Sequence, residues 1–230
     1  MKHIHRLILS TVMAAMYLTA LGQDTEDRSL PSFSKVTVSQ AIKVVLVKGN
    51  KESASIEVRG AETDDVKTDV SGSALRIRMN SDRRYKNVDV KIRLTYKEIE
   101  EIEVNSAAKI VTESAIKTDY LEVSATSAAD AVLEVEVEEL SIDVTSSGSV
   151  EVSGNATVQD ISVTSAGSID AFDLVSEEAS VKATSAGNAR VHAVKRLEAS
   201  ANSAGSIRYR GNPAKTNVRS NSGGSIRRVN

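Results

Sequence analysis

Apolar and polar positions alternate along most of the chain, in short runs. Ile102-x-Val104, Val123-x-Ala125, Ile142-x-Val144, Ile161-x-Val163, Val181-x-Ala183, Ala199-x-Ala201 and Val218-x-Ser220 form one set of runs. Ile110, Ala131-x-Leu133, Val150-x-Val152, Ile169-x-Ala171, Ala189-x-Val191, Ile207-x-Tyr209 and Ile226 form a second set, each a few residues after a member of the first. A period of two through β-branched residues predicts strands with one face buried. Beyond residue 22 no segment carries a 3.6-residue apolar stripe, so no helix is expected.

The same few letters separate the two sets every time: "NSAAKI" at 105, "TSAADA" at 126, "TSSGSV" at 145, "TSAGSI" at 164, "TSAGNA" at 184, "NSAGSI" at 202 and "NSGGSI" at 221. Their serines, Ser106, Ser127, Ser146, Ser165, Ser185, Ser203 and Ser222, recur after 21, 19, 19, 20, 18 and 19 residues. A sustained period near 20 means stacked supersecondary units. A leucine-rich repeat of that length needs a leucine ladder with a fixed asparagine, and this chain has neither. The fold class is therefore all-β: a single-stranded right-handed parallel β-helix, or β-solenoid, of about 20 residues per coil, with equivalent strands about 4.8 Å apart.

Carrying the alternation straight through each corner assigns directions. The seven serines then point inward, their hydroxyls bonded to turn amides or to one another. Asn105, Thr126, Thr145, Thr164, Thr184, Asn202 and Asn221 form an outward ladder. Gly148, Gly167, Gly187, Gly205 and Gly224 are expected to supply the positive φ of the turn. Ala108 and Ala129 replace that glycine, which predicts a different corner type in the first two coils.

Residues 33–100 alternate without the signature: "KVTVSQAIKVVLV", "ASIEVRG", "ALRIRMN" and "VDVKIRL" are strand-like, and "KGNK" at 48–51 reads as a turn. They are expected to form the atypical N-terminal β segment of one domain over 33–230, protecting its first open edge, with the repeats over 101–230, the alternative being an independent small β domain. Residues 23–32, polar and ending near Pro31, are expected to be a flexible leader. Residues 1–22 have the layout of a signal peptide, with Lys2 and Arg6 before an apolar run and small residues Ala20 and Gly22 at its end. Export to the periplasm, cell surface or exterior follows, with no integral membrane segment after cleavage. The absence of cysteine excludes disulfides and an acylated cysteine.

These features together resemble the putative auto-transporter adhesin family with a head GIN domain. The likeness rests on the signal peptide, the opening "FSKVTVSQAIKVVLVKGNKESASIEV", and repeated "S-[AS]-G-S-[IV]" ending in "GSIRYRGNPAKTNVRSNSGGSIRRV". It covers roughly residues 33–228, with "SAG" where the family often has "SGS" or "SGA". The resemblance implies an exported β-helix protein of Bacteroides-like bacteria.

Composition leaves little for catalysis. The one histidine outside the signal segment, His192, points outward between Val191 and Ala193, and neither a P-loop nor a dinucleotide fingerprint is present. No cofactor or metal is expected. Serines recurring by period read as a stack, since a nucleophile is needed once. Glu134, Glu136 and Glu138 alternate with Val135 and Val137 on the solvent side of one strand. They read as solubilising charge, the alternative being a carbohydrate-active enzyme that attacks acidic polysaccharide from a β-helix face. Ice binding through the threonine ladder is disfavoured by its asparagines.

Charge is distributed more tellingly. Residues 23–97 carry a net +4, residues 98–181 a net −17 and residues 182–230 a net +9. A solenoid maps sequence position onto its axis, so the molecule should be an electrical rod with an acidic middle and a basic end. Nothing in this balance calls for nucleic acid. The expected function is a non-enzymatic exported adhesin or cell-envelope interaction module, meeting a cell-surface glycan or envelope component and open to homo-oligomerisation. Candidate contacts are Thr126, Thr145, Thr164, Thr184, Asn202, Asn221, Arg208 and Arg210.

Overall fold

Neither half of the alternation could bury its apolar face alone, and stacking resolves this. In the computed structural model, which describes residues 23–229, every strand joins one 17-stranded sheet wound into a β-solenoid of about 7 turns with about 19 residues per turn. The N-terminal strands are β1 (Gln23–Ser29), β2 (Lys35–Val38), β3 (Lys43–Lys48), β4 (Ser53–Arg59), β5 (Val66–Ser71), β6 (Ala74–Met79) and β7 (Asp89–Tyr96). The first full coil is β8 (Glu101–Val104) and β9 (Lys109–Thr112). The array continues through β10 (Ile116–Ala125), β11 (Asp130–Val144), β12 (Ser149–Val163), β13 (Ser168–Ala183) and β14 (Asn188–Ala201) to β15 (Ser206–Arg210), β16 (Lys215–Ser220) and β17 (Ser225–Arg228). The proposed signal segment lies outside the described residues.

Parallel register aligns the apolar positions into columns that run the length of the stack. One column is Val36, Ile102, Val123, Ile142, Ile161, Val181, Ala199 and Val218; another is Val44, Ile110, Ala131, Val150, Ile169, Ala189, Ile207 and Ile226. Their interior members are wholly buried in one continuous core, while Val218 in the last coil is 46% exposed.

The N-terminal segment does not follow chain order. β2 and β3 pair in parallel with β8 and β9 on one side and with β6 and β7 on the other, so the outermost coil layer is formed by later residues than the layer inside it. Antiparallel strands then close that end: β5 on β6, β4 on β7, and β1 on β4. Residues 23–29 are thus a paired strand, where a flexible leader was expected. Their polar sequence has no alternation of its own, and the exposed edge of β4 supplies the template. Arg28 clasps the closure, donating to the carbonyls of Val66 (2.6 Å) and Thr63 (2.9 Å) while ion-paired to Glu26 (2.8 Å).

Candidate functional site

The corners decide which side chains the solenoid presents. At each signature the amide of the fourth residue donates to the carbonyl of the Asn or Thr three residues earlier, over 2.8 to 3.2 Å. The two residues between are both left-handed: the seven serines have φ of 47 to 55°, and the Ala or Ser that follows has φ of 60 to 62° in the first six corners. This is a type I′ turn. Two successive positive φ values break the pleat, so the alternation cannot be carried through.

Three expectations fail for that reason. The seven serines are exposed on a ridge, and among the described residues their hydroxyls have no protein partner. Gly148, Gly167, Gly187, Gly205 and Gly224 do not supply the positive φ, and all but Gly224 are buried. Their need is space: a Cβ on Gly205 would stand 2.3 Å from the carbonyl oxygen of Ala183 in the coil below. Ala108 and Ala129 fill the same place, wholly buried, yet their corners have the same dihedrals and the same turn bond.

Left-handed backbone is unfavourable for serine and alanine, and a hydrogen-bond ladder between corners offsets it. The amide of Ala107 donates to the carbonyl of Ser127, Ala128 to Ser146, Ser147 to Ser165, Ala166 to Ser185, Ala186 to Ser203 and Ala204 to Ser222, each at 3.0 to 3.1 Å. The ladder starts one corner earlier than the signature, with Ala41 donating to Ser106. Gln40 and Ala41 have φ of 62° and 59°, so "SQAI" at 39–42 is a corner with the same pair of left-handed residues and none of the signature letters at those two positions but alanine.

Thr126, Thr145, Thr164, Thr184 and Asn202 occupy the first turn position, half-buried beside the ridge, and Asn221 is exposed. A second corner has no small-residue signature. It lies where alternation slips by one residue, as at Glu138–Glu139 between Val137 and Leu140, and its column reads Tyr120, Glu139, Val158, Glu178, Arg196 and Lys215. Beside it runs an open groove of about 810 Å³ that includes Glu136, Glu138, Ala156 and Ser176. Glu134, Glu136 and Glu138 are solvent-exposed, and Glu136 is paired with Lys117 at 2.6 Å.

Under that face is a buried polar knot. Gln159 and Ser176 are 0% and 1% exposed; the Gln159 amide donates to the Ser176 hydroxyl (2.6 Å), and both donate to the carbonyl of His192 (3.1 and 2.9 Å). The Gln159 Oε1 has no partner. The His192 ring is half-buried on the outer face, so its main-chain oxygen, and not its imidazole, makes the interior contacts.

The basic end is built around Phe172. The coil from Ser165 to Ser185 has one residue more than its predecessor, and the surplus appears as a bulge where pairing jumps from Glu151–Asp170 to Ser153–Asp173. Phe172 sits at the bulge, 6% exposed, with the guanidinium carbons of Arg190 and Arg210 over its ring at 4.4 and 4.3 Å. Arg190 also pairs with Asp170 at 2.6 Å. Arg208 is exposed in register between Arg190 and Arg227. Among the described residues no helix is long and apolar enough to cross a membrane, and no group of His, Cys, Asp and Glu side chains is arranged to hold a metal ion.

Comparison with known proteins adds a lineage. A family model described as "Putative auto-transporter adhesin, head GIN domain" matches residues 32–213. No curated protein matches. A crystal structure of a putative adhesin from Bacteroides fragilis superposes with a TM-score of 0.83 at 17% identity, covering 91% of this chain and 98% of its own. A putative adhesin from Parabacteroides merdae gives 0.73 at 20% identity, covering 92% and 98%. A putative lipid binding protein from Parabacteroides distasonis gives 0.71 at 21% identity, covering 92% and 98%. These likenesses are of fold.

Proposed function

This chain belongs to the head GIN domain family of putative auto-transporter adhesins, and from that premise we propose that it is an exported, non-enzymatic solenoid that adheres to a cell surface or envelope component through its outer face. The observation that carries the reading is the division of labour along the coil. Repeated residues are spent on corners and core columns, while the outward positions between them vary and carry the charge. A rigid stack holds those variable side chains at the strand spacing of about 4.8 Å, which suits an extended partner. The polarised charge adds a field that orients such a partner before contact.

Retention of the purified protein, without its first 22 residues, on cell-envelope fractions at low salt tests the reading. Saturable binding that weakens with salt is the expected result. Absence of retention on envelopes and on whole cells overturns it.

A further inference from the structure

Three outward arginines stand directly above one another in successive coils. Arg190 pairs in register with Arg208, and Arg208 with Arg227. All three are exposed. Like charges in register oppose sheet pairing, so an anion lying across the three would relieve a repulsion built into this face. Arg190 is steadied by Asp170 and by the ring of Phe172, and Arg210 by the same ring. Arg208 and Arg227 have no acidic partner among the described residues.

We propose that the column Arg190, Arg208 and Arg227, flanked by Arg210, is a binding site for a short run of carboxylate or sulfate groups on an acidic polysaccharide. Guanidinium forks take such groups bidentately. The column spans two coil steps, roughly 10 Å, and offers one guanidinium at each step to an anionic chain laid along the axis. It also has a sign boundary. The next outward members of the same column are Asp170 and then Glu151, which repel a polyanion that continues in that direction. The site therefore takes a chain end or a short charged block, oriented one way.

That boundary also favours a polysaccharide over a membrane. A bilayer would press its headgroups against the whole face, acidic residues included, whereas a single chain can stop at Arg190. This inference rests on the adhesive reading but fails separately from it.

The test measures polygalacturonate and trigalacturonate binding to the wild-type protein, to Arg208→Glu/Arg227→Glu, and to Lys51→Glu/Lys97→Glu, which makes the same change in net charge at exposed sites elsewhere. Expected are binding by wild type and the Lys51/Lys97 variant, with at least about a tenfold loss in the arginine variant, and no competition by phosphatidylglycerol vesicles. Equal losses in both variants, vesicle binding in place of polygalacturonate binding, or no binding by wild type overturns the inference. The same variants are run on envelope fractions. If the arginine variant is retained like wild type, the adhesive reading stands and this site falls; if wild type itself is retained neither there nor on whole cells, the adhesive reading falls.

Discussion

Exchanging glycine and alanine within one corner separates two accounts of what the repeated letters do. Ala186 has φ of 62° and is exposed, while Gly187 is buried with an ordinary φ. Ala186→Gly removes a left-handed Cβ, a relief of about 1–2 kcal/mol, and loosens the unfolded chain by about 0.4–1 kcal/mol. The net is a gain of about 0.5 kcal/mol. Gly187→Ala places a Cβ 2.5 Å from the Val163 carbonyl oxygen and 2.9 Å from its carbon. Ala108 and Ala129 show that a corner can be spaced to hold a Cβ there, but at Gly187 the Val163 carbonyl must first move away, an overpacking cost of about 1–3 kcal/mol. The stiffer unfolded chain offsets about 0.4–1 kcal/mol of it, leaving a loss of about 1 kcal/mol. Urea titration followed by far-ultraviolet circular dichroism reads the difference as opposite shifts of midpoint, compared within this one chain because repeat arrays need not unfold in two states. A neutral Gly187→Ala together with a destabilising Ala186→Gly would mean that the glycine makes the turn, and the corner account would be wrong.

Three further outcomes follow from other parts of the structure. Gln159→Leu deletes the orphan Oε1 in a column otherwise filled by Leu140, Ala179 and Leu197, and should raise stability by about 1 kcal/mol, read as a higher denaturation midpoint; a loss above that size would show the knot to be stabilising. The Arg28 guanidinium beside Glu26 holds its carboxyl at about 2, against an ordinary 4.5. A depressed carboxyl stabilises above the unfolded value, so this contribution is complete above pH 4.5 and fades as pH falls toward 2. Half-exposed as the pair is, it amounts to about 1 kcal/mol, and Glu26→Gln should remove that part of the acid sensitivity in a pH-stability profile. Phe172→Leu keeps an apolar side chain in the bulge but loses both guanidinium contacts, costing about 1–2 kcal/mol in thermal or urea unfolding; an unchanged midpoint would refute the stacking.

Strands and period could be read from the chain because β-branched alternation survives in every coil. Corner direction could not, because Ser106–Ala107 and its copies take two left-handed residues in a row, and no composition rule assigns that conformation to serine and alanine. The Glu138–Glu139 corner carries no turn residue and shows only as a slip in alternation. The Gln40–Ala41 corner keeps the two left-handed residues of the signature without its serine. The inverted order of β2, β3, β6 and β7 involves pairings without a period, and β1 is a strand only because β4 offers it an edge. Phe172 had a signal that was readable: a coil one residue longer than its neighbour needs somewhere to bulge. Of the contact residues named from sequence, Arg208 and Arg210 come to lie at one basic end, while the threonines and asparagines run beside the serine ridge at the corners.

Function is assigned here to the variable outward positions and not to the repeated corner. Envelope retention of two variants weighs that assignment: one with Ser146, Ser165 and Ser185 replaced by asparagine, a residue suited to left-handed turns, and one with Arg208, Arg210 and Arg227 replaced by glutamate. The account predicts wild-type retention for the asparagine variant and a loss of at least about tenfold for the glutamate variant. The opposite pattern, retention lost with the serines and kept without the arginines, would contradict it.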